Sequence, residues 1–195
     1  MLRKRNNALR GAQKTVVRIE GFGCHDEGTW IVPDEKARPR TPGTIAGIAG
    51  RKGFMALTVS KFAMNELSGF LRDACDVFLE YGVNLEHIPT SIDDASFVVS
   101  SESLNGKLEV VLSGLKNKLN PDTIKVEPPL SLICVVGNTM SHTPGVAGKV
   151  FKDALAARGI NVRLIIQGGS ERNITIGVDE DDLEEAIRAI YEVFA

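Results

Sequence analysis

Cysteine is scarce and unpaired: Cys24, Cys75 and Cys134 are odd in number and widely spaced. That excludes a fully paired disulfide framework and argues against a metal site built from neighbouring Cys ligands. The three are expected as free thiols, with Cys75 and Cys134 buried as small hydrophobes because they lie in apolar periodic segments. Histidine is equally sparse, and Cys24 beside His25 lacks a third, orienting group, so no nucleophile is assigned and no catalytic or metal-ligating set is expected. Long apolar runs are missing too. None approaches the roughly 18 residues that span a bilayer, and the stretch after Met1 has no apolar middle of a secretory signal. A cytoplasmic location is expected. Net charge is only -2, with 23 Lys and Arg against 25 Asp and Glu, which gives no electrostatic reason for a nucleic-acid or membrane partner. The basic cluster Arg3, Lys4, Arg5 and Arg10 is expected as a solvated tail. What is present is an ordinary globular composition, 43% hydrophobic over 195 residues. It suffices for one packed domain or two small ones.

A repeat organises the chain. Met55–Val59 is an apolar strand, followed by the polar stretch Ser60–Ser68 and then Gly69. Phe70, Leu71, Ala74, Cys75, Phe78 and Leu79 recur at helical spacing, and Gly82 stops the helix. Val83–Ile88 and Ser96–Val99 are strand-like, with the turn-rich Pro89–Asp94 between them. The second copy opens with Leu130–Val136 and reaches Gly145 at the start of another helix. Val146, Val150, Phe151, Ala154 and Leu155 line its apolar face, and Gly159 ends it. Ile160–Ile166 and Asn173–Val178 are its strands. The offsets are 76 positions from Gly69 to Gly145, 77 from Asn84 to Asn161 and 77 from Phe97 to Ile174.

Each copy adds a second helix, Leu104–Leu119 and Asp181–Phe194, the latter with acidic residues at its start that suit the positive end of the helix dipole. Ile124–Val126 offers a closing strand to the first copy, whereas none is evident in the second. The fold class is therefore α+β, with two ferredoxin-like βαββαβ units in tandem. An exposed edge in each makes side-by-side pairing of units a natural cover. In both copies a polar loop ends in Gly at a helix start, where free N–H groups and the dipole suit an anion such as an amino-acid carboxylate. Glu66, Glu86 and Asn161 are nearby acceptors for an ammonium group.

SKFAMNELSGFL at Ser60–Leu71, VNLEHIPTSIDDASFVV at Val83–Val99 and TPGVAGKVFKDALAARGINVRLIIQGGSERNITIGV at Thr143–Val178 make residues 44–195 resemble the tandem ACT regulatory region of aspartate kinases, most closely the monofunctional type inhibited by lysine. RPRTPGTI, Arg38–Ile45, is similar to the joint between kinase body and regulatory tail. The implied division is 1–43 as N-terminal extension and remnant of that joint, 44–127 as first ACT domain and 128–195 as second. The resemblance implies an allosteric site for lysine, sometimes threonine, at an interface between ACT units of a homodimer. Met64, Glu66, Ser68, Gly69, Phe70 and Leu71 would supply the loop and helix start, Glu86 a partner for the effector ammonium, Ser91 a pocket wall, and Asn161 and Val162 the strand segment from the second unit. Leu67 departs from a polar residue in some members.

No phosphate-holding segment is present. GIAGRKG, Gly47–Gly53, lacks the spacing of a phosphate loop and is expected to be a connector before the first ACT strand. The chain is thus expected to carry no cofactor, ATP and Mg belonging to a separate kinase domain, and to be inactive alone. Three readings stand: the regulatory part of an aspartate kinase, as fragment or small subunit beside a catalytic chain; a freestanding amino-acid-binding module acting on another partner; and a dimerisation device with an empty pocket.

Overall fold

The computed structural model describes residues 17–19, 29–31 and 45–195. Two strands, β1 (Val17–Ile19) and β2 (Thr29–Ile31), pair antiparallel with Val17 opposite Ile31, within a separate unit of residues 1–40. The basic cluster, Cys24, His25 and most of the expected joint lie outside the described residues.

The larger unit has one seven-stranded sheet. Its spine is β3 (Gly47–Ser60), 14 residues long. The Met55–Val59 strand of the sequence thus extends backwards through Gly47–Gly53, which is strand and not connector. The reason is packing: a Cβ on Gly50 would lie 2.5 Å from Ile187 Cδ1 and 2.8 Å from Leu183 Cδ1, so the missing side chain lets a helix lie directly on the strand. Gly53, at φ 85, sits in a register break, and its N–H donates to Glu180 Oε1 at 2.7 Å.

After β3 come a 3-10 turn (Met64–Glu66), α1 (Phe70–Glu80), β4 (Leu85–His87), β5 (Asp94–Ser100), α2 (Ser101–Leu104), α3 (Leu108–Leu119) and β6 (Thr123–Val126). The expected helix Leu104–Leu119 is split, because Gly106 at φ 71 turns the chain between α2 and α3. The second half repeats the plan with β7 (Leu130–Val136), α4 (Val146–Gly148) continuing as a π-helix (Lys149–Leu155) and a 3-10 turn (Ala156–Arg158), β8 (Leu164–Ile166), β9 (Asn173–Asp179), and α5 (Leu183–Phe194) behind a 3-10 turn at Glu180–Asp182.

Within the sheet the order is β4-β5-β3-β7-β9-β8, with β6 also on β3. β6 and β7 follow one another along the same edge of β3: Leu57–Ser60 face Val126–Thr123, and Gly47–Arg51 face Val136–Leu132. The first half of β3 is therefore the closing strand that the second copy lacked in sequence. Exchanging each residue with its partner 76 positions away maps Gly47–Val136 on to Thr123–Ser60, while Phe54–Leu130 maps on to itself. A local twofold axis thus passes between Phe54 and Leu130.

Two cores follow from this plan. Leu57, Val59, Phe70, Val77, Phe78, Phe97, Val111 and Leu115 fill the first; Ile133, Val135, Val150, Leu155, Ile174, Ile176 and Ile190 fill the second, with Ile45 and Ile48 of the β3 edge packed against it. A smaller cluster at the axis, on the opposite face of β3, joins Phe54, Ala56, Val98, Leu130 and Leu132. Strand pairing also corrects one register. Leu57 faces Phe97 and Ile133 faces Ile176, so Phe97 corresponds to Ile176 rather than Ile174. The β8–β9 hairpin absorbs the extra residues, a change invisible to a fixed offset. Cys75 and Cys134 are half-buried free thiols, less enclosed than expected. Cys75 shares a partly exposed stripe of α1 with Leu71 and Leu79, which are 40% and 78% exposed.

Candidate functional site

The loop from Lys61 to Gly69 leaves the end of β3 and delivers the chain to α1. Its shape is set by carboxylates from neighbouring turns. Asp93 Oδ1 accepts from Ala63 N–H at 2.8 Å, and Asp122 Oδ2 accepts from Phe62 N–H at 2.7 Å. Asn65 N–H donates to Ile92 O at 3.1 Å, and Ser60 Oγ to Asp94 Oδ1 at 2.5 Å. Ala63 is held at φ 54, a left-handed conformation that this tether stabilises in a residue with a Cβ. Sequence reasoning missed Asp93, Asp94 and Asp122; the only signal was a pair of acids in a turn.

Gly69, at φ 88, is the N-cap of α1 and offers no side chain to it. Phe70 N–H donates to Leu67 O at 3.3 Å and Asp73 N–H to Gly69 O at 2.9 Å, whereas no side chain caps the N–H groups of Leu71 and Arg72, so these two and the positive end of the dipole are open to an anion. Arg72 lies beside them, 76% exposed, and the hydrogen bonds that its Nε and Nη2 both donate to Asp73 Oδ1, with the Asp73 charge, raise its pKa above the ordinary guanidinium value. The arrangement is suited to a small carboxylate.

Of the residues singled out in the sequence, Met64, Glu66, Ser68, Gly69, Phe70 and Leu71 are contiguous here, with Met64 and Phe70 buried as supports and Glu66, Ser68 and Leu71 exposed. Ser91 lies in the adjacent hairpin, where its Oγ engages Asp94 at 3.3 Å and accepts from Asp94 N–H at 3.2 Å. Glu86 is elsewhere. It lines a cavity of about 340 Å³ with Asn84, Ser100, Glu102 and Ser103, at the opposite end of β5. Asn161 and Val162 belong to the second half, with Val162 packed against the second core. Within one chain these residues form separate groups.

The description "ACT domain" fits residues 133–194. Aspartokinase 3 of Bacillus subtilis is 35% identical over 169 residues, covering 86% of this chain and 36% of that protein. Aspartate kinase of Clostridium acetobutylicum superposes with a TM-score of 0.82 at 38% identity, over 86% of this chain and 38% of the other. The chain belongs with the ACT-containing regulatory regions of aspartokinases. Its ACT fold matches the regulatory subunit of aspartate kinase from Thermus flavus over 99% of that subunit, with a TM-score of 0.67 at 19% identity. The chain spans about a third of the length of the Bacillus subtilis relative.

The second ACT unit rebuilds the same loop with other residues. His142, at φ 58, donates its N–H to Glu171 Oε2 at 2.8 Å, so a carboxylate again tethers a left-handed loop residue, but at a different place in the loop: His142 lies three residues before Gly145, Ala63 six before Gly69. Gly145, at φ 92, stands where Gly69 stands in the first ACT unit. Among the described residues no cluster of His, Cys, Asp or Glu is arranged to hold a metal, and no helix is long and apolar enough to cross a membrane.

Proposed function

We propose that this chain is the amino-acid-sensing regulatory region of an aspartate kinase, a cytoplasmic module that binds lysine or threonine and transmits feedback inhibition to a catalytic chain. The observation that carries the reading is the open start of α1 behind Gly69, repeated in the second unit behind Gly145, in a fold that overlays 78% of this chain on 99% of an aspartate kinase regulatory subunit. A solved structure of aspartokinase alpha and beta subunits, 24% identical to this chain, shares the fold.

A homodimer through the ACT units completes the site. The stripe Leu71, Cys75 and Leu79 on α1 exceeds what the first core uses, and a second copy would bury it. Such a pairing also supplies the convergence that one chain lacks between the Gly69 loop, Glu86 and the Asn161–Val162 strand. Effector binding then biases the arrangement of units, because a ligand held across an interface has different affinity for its two packings. No catalytic step and no cofactor are assigned to this chain; ATP and Mg are left to the kinase domain.

The test is calorimetric titration of lysine and threonine into the wild type and into Glu86→Ala and Ser91→Ala. Affinity for one of the two amino acids is expected to fall about tenfold or more in each variant, as when a charged or polar partner is removed. Unchanged affinity in both variants removes this pocket. Co-purification with a catalytic aspartate kinase chain separates kinase control from control of another partner.

A further inference from the structure

Two stretches of backbone carry the chain from one ACT unit to the other: the register break of β3 at Gly53 and the turn Glu127–Pro129 between β6 and β7. Gly53 and Pro129 are 76 positions apart and so are partners across the local twofold. The second unit holds both. Glu180 Oε1 accepts from Gly53 N–H at 2.7 Å, and Arg163 Nη1 donates to Pro129 O at 2.9 Å. The two side chains are tied together at the end of β9, because the same Nη1 donates to Asp179 Oδ1 at 3.1 Å, one residue before Glu180. Glu127 adds a carboxylate 3.9 Å from Arg163 Nη2, and the arginine side chain is only 15% exposed. Enclosure of this kind makes charge-assisted bonds worth more than the same bonds in open solvent.

The first unit holds neither crossing from the equivalent positions. His87 faces Val98 as Leu164 faces Gly177, so Glu86 stands where Arg163 stands. Phe54 faces Ser100 as Leu130 faces Asp179, so Ser101 stands where Glu180 stands. A carboxylate has no hydrogen to donate to Gly53 O, and Pro129 has no N–H for Ser101 to accept. The duplicated fold therefore keeps one clasp, on the second unit alone. Arg163 also directly follows Asn161 and Val162 in the chain, and its own N–H donates to Gly177 O at 2.8 Å. A shift of that segment moves the clasp with it.

We propose that Arg163 is the positioning residue of the effector response: an amino acid seated against Asn161 and Val162 tightens the grip of Arg163 on Glu127–Pro129, and so sets the arrangement of the two ACT units. The inference rests on the amino-acid-sensing reading above and extends it from where the effector binds to how binding reaches the turn between units. Coupling needs a contiguous element with two arrangements that the ligand distinguishes, and a guanidinium joining the ligand's strand to the crossing is such an element.

The experiment is residue-resolved amide exchange of the full chain with and without lysine or threonine, alongside calorimetric titration of both. The reporter is Glu127 N–H, which donates to Ala56 O at 2.9 Å. Its protection is expected to rise about fivefold or more when the amino acid binds, the lower end of ordinary allosteric coupling. Arg163→Gln is expected to keep saturable heat yet lose that rise, a split that a merely structural arginine would not produce. Arg163→Lys is expected to restore the rise, because both short bonds come from one nitrogen and an ammonium can make them. Arg158→Gln breaks the ion pairs to Glu185 and Glu192 in the same unit and is expected to leave the rise intact. A full rise in Arg163→Gln, an equal loss in Arg158→Gln, or no recovery in Arg163→Lys overturns the proposal. Heat without any rise in the wild type also overturns it and leaves the sensor standing, whereas no heat from either amino acid removes both.

Discussion

The two ACT units carry one plan on different chain orders. The first closes its sheet with the strand that follows its helices, β6; the second closes with a strand that comes before the entire first unit, Gly47–Arg51 of β3. Each long run, β3 and β6–β7, therefore serves both units, and neither half can be lifted out without taking a strand from the other. The helices differ as well. Gly69 to Gly82 is 13 residues in the first unit, and Gly145 to Gly159 is 14 in the second. The extra residue is absorbed as the π-helix Lys149–Leu155, which widens the turn and keeps Val150, Ala154 and Leu155 on the core. Both helices nevertheless end alike. Val83 N–H reaches Phe78 O at 2.8 Å behind Gly82, and Ile160 N–H reaches Leu155 O at 3.1 Å behind Gly159, the paired bonds of a Schellman stop. A duplicated fold thus tolerates permuted strands and an inserted residue, provided that the buried stripes and helix stops are kept.

The sharpest way to break this picture is to empty one core. Phe97→Ala removes a ring 5.1 Å from that of Phe78 and should cost about 3–5 kcal/mol. Because β3 is shared, unfolding should remain a single transition, with amide protection in β9 falling together with that in β5. Protection of β9 at wild-type level would mean that the halves fold independently. Next is Gly50 against its repeat partner Val126. Gly50→Val forces a side chain into Leu183 and Ile187 and should cost about 1–3 kcal/mol. Val126, 40% exposed, should tolerate Ala within about 0.5 kcal/mol. Equal denaturant midpoints for the two variants would remove the close helix contact proposed for β3.

Loop tethers come third. Asp93→Ala and Glu171→Ala each strip a carboxylate from the N–H of a left-handed residue, and each should cost about 1 kcal/mol. A large effect in one unit alone would show that only that loop depends on its tether. The smallest effect expected is deletion of exposed Lys152, which returns the π-helix to α-helical winding and should change stability by about 0.7 kcal/mol or less. Deleting exposed Asp76 from α1 instead rotates Val77 and Phe78 away from the core, so loss of folding there is the control.

Much of this was legible in the sequence where the signal is local. Apolar periodicity placed α1 and α5, and Gly82 and Gly159 marked the helix ends. Gly47–Gly53 was not legible, because a strand whose glycines admit a helix shows no apolar alternation. The register of β9 escaped for another reason: a longer hairpin shifts the pairing without altering the strand's own pattern. At the site, Gly69 announced the open helix start, whereas the tethering role of Asp93 depends on a contact 30 residues away in sequence. The cavity at Glu86 was hidden for the same reason, since its lining is gathered from both sides of the β4–β5 hairpin.

The central claim is that the chain senses a free amino acid, and thermal unfolding with and without ligand tests it most directly. A ligand bound only by the folded state stabilises by about 2.7 kcal/mol at a hundredfold excess over Kd. Lysine or threonine is predicted to raise the melting temperature in a saturable manner, and Ser91→Ala to blunt that rise. A melting temperature unmoved by every amino acid would contradict the account and leave a dimerisation device.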